Sequence, residues 1–225
     1  PKFRTIKEIY EVGLPSIIMQ SIGSVMTIGM NTILIAFSAT AVAVFGIYFK
    51  LQSFIFLPVF GLTAAMISIV GFNYGARNKE RIARTIRHAV LIATGMMLLG
   101  ILIFQTIPAL LLRLFDASPS MLDIGIRALR IISIHFPLAG IAIILSSSFQ
   151  AIGKGFYSLI ISIVRQLGVL LPAAYLLARI WGLDAVWFAF LASEVASLLL
   201  AIIFFIKIYR REIATLELPL IPNQG

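Results

Sequence analysis

Residues 135–172 read HFPLAGIAIILSSSFQAIGKGFYSLIISIVRQLGVLLP. Two apolar runs flank a short polar turn at 150–155, and each run holds one ionisable residue, His135 in the first and Arg165 in the second. A run of about 20 apolar residues crosses the hydrocarbon core of a membrane as a helix, and a charged side chain at that depth is costly. The stretch therefore predicts a membrane hairpin with buried polar groups, which favours a transport path.

The composition of the whole chain is that of an integral membrane protein. Hydrophobic residues make up 60% of the 225 positions and charged residues only 12%, against about 25% in soluble domains. The formal net charge of +9 comes from short basic clusters between apolar runs. Such clusters encode membrane topology, so nucleic-acid binding is not expected. Cysteine is absent, which excludes disulfides and thiolate metal sites within this sequence.

The apolar runs predict an all-α, polytopic membrane protein, a six-helix transmembrane bundle. Residues 1–12 have the spacing of an amphipathic helix lying on the cytoplasmic membrane surface. Residues 13–210 are predicted to form the six-span lobe, and residues 211–225 a cytoplasmic tail. The spans are expected at about 14–37, 42–70, 88–112, 124–147, 157–178 and 185–206.

Basic residues are distributed unequally over the predicted loops. Smaller clusters lie at the N-terminal segment, at Lys154 in the fourth loop and after residue 206. The largest cluster follows the second span and consists of Arg77, Lys79, Arg81, Arg84 and Arg87. The large cluster and the smaller ones all fall on one side of a six-span chain, so the positive-inside rule predicts that both termini are cytoplasmic.

Four ionisable residues lie well inside apolar runs, namely Lys50, His135, Arg165 and Glu194. At about 1.5 Å of rise per residue, all four come out near the middle of the membrane. Arg165 and Glu194 lie on either side of a turn near Gly182, where a tilt or kink would bring them level. An ion pair between them would act either as a structural lock or in ion or substrate coupling.

Each of the other polar residues at depth has two interpretations. Lys50 either extends its stem to the membrane interface or faces a wet cavity. His135 either forms a hydrogen bond between helices or titrates near neutral pH. Gln20 and Asn31 either bond across helices or contact a substrate in a cleft.

The sequence carries no enzyme motif. It contains no HExxH, no GxSxG, no Walker A loop and no pair of nearby intramembrane carboxylates. No enzymatic activity, cofactor or metal site is therefore expected.

Five segments, taken together, resemble the C-terminal lobe of the multidrug and toxic compound extrusion (MATE) transporters. Their order and spacing are similar to helices seven to twelve of that family, and the likeness covers nearly the whole chain. The segments are GLPSIIMQ (13–20), GLTAAMISIVGFNYGAR (61–77), FQAIGKG (149–155), SIVRQLGVLLP (162–172) and GLDAVWFAFLASE (182–194).

The resemblance implies an antiporter in the plasma membrane of a bacterium or archaeon. Such a protein exports cationic or amphipathic compounds in exchange for protons or sodium, by rocking two six-helix lobes about a central cleft. The implied partners are an N-terminal six-helix lobe, small organic cations or amphipathic drugs, the coupling ion and membrane lipid. By the same resemblance, Arg165, Gln166 and Glu194 form an intramembrane polar network.

Some family members carry a cation-binding carboxylate in the seventh helix and another in the tenth. The corresponding regions here hold Gln20 and the Ala139–Gly140 pair, and neither contains an acid. The resemblance therefore favours coupling through carboxylates of the N-terminal lobe.

Two alternatives remain at this level. A flippase of lipid-linked oligosaccharides shares the architecture, and Lys50 with Arg165 would fit its cationic cavity. A membrane assembly subunit that transports nothing would use its buried charges only as locks.

Overall fold

A computed structural model of the chain describes residues 3–216, with side chains described at Tyr10, at Leu14 and from Ile17 onward. Within that range every regular element is a helix, which confirms the all-α prediction. The helices are α1 (Phe3–Ile35), α2 (Ala39–Gly75), α3 (Lys79–Thr106), α4 (Pro108–Arg113), α5 (Pro119–Ser133), α6 (Phe136–Ala151), α7 (Gly155–Ile163), α8 (Leu171–Trp181), α9 (Leu183–Val186) and α10 (Phe188–Ile208). Two π-helical segments, Val164–Leu170 and Tyr209–Ile213, follow α7 and α10.

With the bent pair α5 and α6 taken as one span, six spans account for all of these helices except α4. Five stretches are long and apolar enough to cross a membrane, and α5 with α6 forms a sixth that bends by 48°. The predicted six-helix bundle is confirmed. A separate surface helix was predicted over residues 1–12. Residues 3–12 form instead the first part of the long helix α1, and residues 1–2 lie outside the description. Residues 217–225 of the predicted tail also lie outside it.

Capping side chains and prolines fix several helix ends. Ser38 accepts a hydrogen bond from the backbone N–H of Ala41 at the start of α2, and Asn78 caps α3 in the same way. The third span was expected to run to residue 112, but α3 ends at Thr106 and a separate α4 begins at Pro108. Proline disfavours helical geometry in the residue before it and lacks the N–H that would continue the helix.

The bend between α5 and α6 sets the position of His135. Pro137 occupies the first turn of α6 and has no N–H, so the helical ladder is interrupted just before it. The side chain of Gln105 on α3 compensates there: its Nε2 donates to the carbonyl oxygen of Arg130 at 2.8 Å and to Ser133 Oγ at 3.1 Å. The bend therefore places His135 in the interior of the bundle, where it is 4% exposed.

Small residues allow α3 and α6 to pack closely. A Cβ atom on Gly140 of α6 would lie 2.9 Å from Met97 Cγ and 3.3 Å from the carbonyl oxygen of Ala93 on α3. Because lipid tails are as apolar as leucine, helix association in membranes depends on such close packing rather than on a hydrophobic effect. Gly140 therefore lets the backbone of α6 approach α3 at this contact.

The outer surface of the bundle is strongly apolar. Phe54, Phe72 and Leu99 are all more than half exposed. A soluble domain rarely leaves such side chains in water, whereas a membrane protein turns them to lipid. The interior, by contrast, holds polar groups on the side where α1, α2, α7 and α10 meet.

Candidate functional site

A cavity of about 700 Å³ lies between α1, α2, α6, α7, the π-helical segment and α10. Its walls combine apolar side chains with many hydroxyl and amide groups, which suits an amphipathic ligand. Among the described residues that line it, Arg165 and Glu194 are the charged pair and His135 is the other titratable group. Its polar lining residues are Gln20, Ser24, Thr27, Gln52, Thr63, His135, Ser146, Ser147, Gln150, Ser158, Ser162, Arg165, Gln166, Ser193, Glu194 and Ser197.

The π-helical segment Val164–Leu170 carries Arg165 and Gln166 into this cavity. Pro172 stands in the first turn of α8, directly after the segment. Because proline has no N–H and its ring crowds the preceding turn, the helix before it departs from regular α-helical bonding. Single π-helical turns of this kind often mark functional sites, since they reorient side chains within a helix. Gln166 Nε2 then donates to Ser162 Oγ at 2.9 Å, which fixes the amide at the cavity wall.

Four ionisable side chains from four different spans form a continuous series, the buried tetrad (Tyr48, His135, Glu194 and Arg165). The Tyr48 hydroxyl lies 3.3 Å from His135 Nε2, and His135 Nδ1 lies 4.0 Å from Glu194 Oε2. Arg165 Nη1 donates to the same Glu194 Oε2 at 3.4 Å. The Glu194 side chain is 3% exposed and that of Arg165 is 32% exposed, so the guanidinium reaches the cavity while the carboxylate lies behind it.

Two atoms of the buried tetrad have no hydrogen-bond partner among the described residues. They are His135 Nδ1 and Glu194 Oε1, and both are buried. Leaving a buried donor or acceptor unpaired costs about 1–3 kcal/mol, and buried polar groups are paired in the great majority of cases. The tetrad is therefore incompletely satisfied in this arrangement, and a small movement of Glu194 toward His135 would bring the two groups into hydrogen-bond distance.

The structure brings five of the seven candidate residues together. Gln20, His135, Arg165, Gln166 and Glu194 all line the cavity. Gln20 contributes an exposed amide from α1, whereas the other four are buried or, for Arg165, half-buried.

The other two candidates, Asn31 and Lys50, do not line this cavity. Lys50 projects in a different direction from the cavity-lining residues Phe49 and Gln52, because successive residues of a helix are about 100° apart and residues two apart lie on nearly opposite sides. Its ammonium group lies 5.8 Å from the centre of the Phe115 ring, at a distance that permits a cation–π contact. Asn31 is half-buried, about one helical turn beyond Thr27, which is the last residue of α1 that lines the cavity.

Sequence reasoning overlooked Tyr48 and most of the cavity hydroxyls. Tyr48 is fully buried and stands between Ile47 and Phe49, where a tyrosine is usually read as core. The serines carry a detectable signal, because Ser158 and Ser162, and likewise Ser193 and Ser197, are four residues apart and share a helix face. The sequence-based prediction of the site did not use this repeat.

No group of three or more His, Cys, Asp or Glu side chains within the described part of the chain is arranged to hold a metal ion. The site offers instead an ion pair, an imidazole, a phenol and a wall of neutral hydroxyls and amides. Such groups bind organic molecules through hydrogen bonds and charge, and they exchange protons.

The MatE family model matches residues 15–176, which is well over half of the chain.

The chain belongs to the MatE family. It is 28% identical to a probable multidrug resistance protein NorM of Thermotoga maritima over 222 residues, covering 96% of this chain and 48% of that protein. The chain spans about half the length of the curated relatives it matches. The family consists of membrane transporters rather than enzymes, in agreement with the absence of enzyme motifs.

Solved MATE structures share the fold of this lobe. A multidrug resistance MATE family transporter in its inward-facing conformation matches with a TM-score of 0.87 and 26% identity, over 96% of this chain and 50% of that one. An outward-facing MATE transporter matches with a TM-score of 0.85 and 26% identity, over 92% of this chain and 47% of that one. Residues 3–216 therefore have the fold of one MATE lobe.

Proposed function

We propose that this lobe is part of an exporter of cationic or amphipathic drugs that works by proton- or sodium-coupled antiport and alternating access. Membership of the MatE family and likeness to multidrug transporters support the cargo class. The observation that carries the proposal is the cavity, which pairs apolar walls with hydroxyls, amides and a buried carboxylate. A lipophilic cation needs both surfaces, since its body favours apolar contacts and its charge favours a carboxylate.

Alternating access is supported by the two structural matches. Structures in the inward- and outward-facing conformations fit the same lobe almost equally well, with TM-scores of 0.87 and 0.85. A lobe that keeps its shape in both conformations is suited to rocking as a rigid body against an N-terminal six-helix lobe. The comparisons favour the exporter over the flippase of lipid-linked oligosaccharides, because the relative and structures described above are multidrug transporters.

We also propose that both termini face the cytoplasm of a bacterial or archaeal cell, with the bundle surrounded by plasma-membrane lipid. The basic cluster after α2 and Lys154 after α6 support this orientation. This sequence contains no cysteine, so single cysteines report sidedness once any cysteine encoded elsewhere in the complete reading frame has been replaced. Lys79→Cys should be protected from an impermeant maleimide in intact cells and Ser118→Cys should react; the reverse pattern would invert the topology.

The test of the cargo is transport by the protein expressed from its complete reading frame in an efflux-deficient bacterium. Tetraphenylphosphonium, a lipophilic cation whose charge does not change with pH, is the probe. We expect energised everted vesicles to accumulate it, and Thr27→Phe, which inserts a ring into the cavity, to reduce the initial rate at least tenfold. Ile28→Phe is the matched control, because Ile28 is the next residue of α1 and is 66% exposed outside the cavity. Equal transport in both variants would remove the cavity from the transport path.

A further inference from the structure

We propose that His135 and Glu194 together bind the coupling proton, and that Glu194 changes partner from Arg165 to His135 when the proton arrives. This inference rests on the proposed export function and names the ion and residues that drive it. It differs from the family-based expectation that coupling belongs to carboxylates of the other lobe.

The geometry defines the two states. In the structure, Glu194 Oε2 lies 3.4 Å from Arg165 Nη1 and 4.0 Å from His135 Nδ1. A proton on the imidazole gives it two N–H groups. One, on Nδ1, donates to the Glu194 carboxylate, and the other, on Nε2, donates to the Tyr48 hydroxyl oxygen, which already lies 3.3 Å away.

The unpartnered atoms supply the reason for the exchange. His135 Nδ1 and Glu194 Oε1 are both buried without a hydrogen-bond partner among the described residues. If the Glu194 carboxylate turns as it leaves Arg165, so that Oε1 accepts from the Nδ1–H of the imidazolium, one hydrogen bond satisfies both atoms. Such charge-assisted bonds are about twice as strong as neutral ones. Protonation of His135 thus gives hydrogen-bond partners to two buried atoms that have none in the unprotonated arrangement.

Charge then couples the proton to the cargo. With Glu194 ionised beside Arg165, the described cavity wall carries no net charge. When the proton draws Glu194 to His135, the wall carries a net charge of one, and the Arg165 guanidinium faces the cavity without its counter-ion. An organic cation and the proton are then mutually exclusive occupants, which is the requirement for exchange between them.

A proton suits this site better than sodium. Hard cations prefer several oxygen ligands, typically carboxylates, carbonyls and water. Here one carboxylate is already paired with a guanidinium, and its other neighbour is an imidazole nitrogen. The groups facing Glu194 from the packed elements are Tyr48 of α2, His135 at the α5–α6 bend, Arg165 of the π-helical segment and Ser197 one turn along α10.

The test measures tetraphenylphosphonium affinity against pH in the purified protein expressed from its complete reading frame. In the unmodified protein we expect the Kd to rise by about tenfold per pH unit as the pH falls through the titration range, because one proton competes with one cation. A pH-sensitive dye in weak buffer should record about one proton released per cation bound. His135→Gln keeps a hydrogen-bonding side chain but does not titrate, and it should abolish both the slope and the proton release.

His88→Gln is the matched control. His88 is the other histidine of this sequence, lies exposed on α3 and contacts the Arg84 carbonyl rather than the cavity. We expect it to keep the unmodified slope. Glu194→Gln should lose the slope like His135→Gln, and Tyr48→Phe should shift its midpoint; these two variants decide the matter if His135→Gln does not fold.

The outcomes separate the two proposals. Tetraphenylphosphonium transport with an unchanged pH slope in folded His135→Gln and Glu194→Gln would overturn the proton site and leave the export function standing. A sodium-dependent affinity that Glu194→Gln abolishes would replace the proton with sodium. Failure of the unmodified protein to bind or transport the cation would overturn the export function, and the inference with it.

Discussion

Two of the ion pairs that join the last span to the rest of the lobe differ in depth. In the buried tetrad, Arg165 Nη1 lies 3.4 Å from Glu194 Oε2, and the carboxylate is 3% exposed. In the terminal pair, Lys154 Nζ lies 3.0 Å from Glu212 Oε1, with side chains 41% and 33% exposed. The shorter contact is expected to be the weaker one, because both terminal groups have water as an alternative partner.

We expect the surroundings of an ion pair to affect its contribution to stability more than the distance between its atoms does. When one member of a buried ion pair is removed, no water is available to take its place. The charge that remains is then uncompensated and strongly destabilises the fold. At the terminal pair the Tyr74 hydroxyl also donates to Glu212 Oε2 at 3.1 Å, and solvent completes the rest. The buried pair is therefore sensitive to any event that separates its members, which is what a coupling site requires.

Removing one member of the buried pair should have the largest effect on stability. We expect Arg165→Met to lower the free energy of unfolding by about 3–5 kcal/mol, because Glu194 is left buried without its counter-ion. The measurement is unfolding of the complete protein by SDS titration in mixed micelles. A loss no greater than that of Lys154→Met would show that depth does not separate the two pairs.

Packing beside the buried tetrad should have the next largest effect. Gly140→Ala on α6 places a methyl group against Met97 and the Ala93 carbonyl, and we expect a loss of about 1–3 kcal/mol from overpacking. Gly95→Ala on α3 is the matched control, since nothing lies within 4 Å of its added Cβ. The same SDS titration compares them, and equal stability of the two variants would mean that α6 shifts freely.

Replacing both members of the buried pair should cost much less than replacing one. We expect Arg165→Met with Glu194→Met to unfold within about 1 kcal/mol of the unmodified protein, because apolar residues often substitute for a buried ion pair. The double-mutant cycle with the two single variants gives the coupling energy. Additive losses would indicate that the two side chains act independently.

The terminal pair should give the smallest effect. We expect Lys154→Met to change the free energy of unfolding by about 0.5 kcal/mol or less, and less still in high salt. The hydrogen bond and the charge of Glu212 raise the pKa of Lys154 above its ordinary value of 10.5. The small stabilisation is therefore complete at neutral pH and is lost as the pH rises above that value. Thermal unfolding at pH 7 and pH 11 measures it.

The sequence was most informative where a single physical constraint dominates. Apolar length predicted the spans. The opposite charges of Arg165 and Glu194 on either side of the turn near Gly182 predicted an ion pair, provided that a tilt or kink levels them, and in the structure they are in contact. The likeness of five segments identified the family, which the family match over residues 15–176 confirms.

Features that depend on several elements were beyond the sequence. Tyr48 joins the tetrad only because α2 packs beside the α5–α6 bend, and the residues around Tyr48 in the sequence do not predict that contact. Lys50 lies outside the cavity because a helix rotates by about 100° per residue, so its neighbours Phe49 and Gln52 face inward while it does not. Pro108 by itself predicts that α3 ends just before it. The continuous apolar run led instead to a predicted span that extends to residue 112.

The most direct test of the central claim is transport by the double variant Arg165→Met with Glu194→Met, measured as the initial rate of tetraphenylphosphonium uptake into everted vesicles. The matched control is Lys154→Met with Glu212→Met, which removes the terminal ion pair of the same span. If the buried pair serves coupling, the first variant folds normally and loses at least nine-tenths of the rate, while the control transports at the unmodified rate. Full transport by the folded first variant would contradict this, and would show that the pair is only a structural lock.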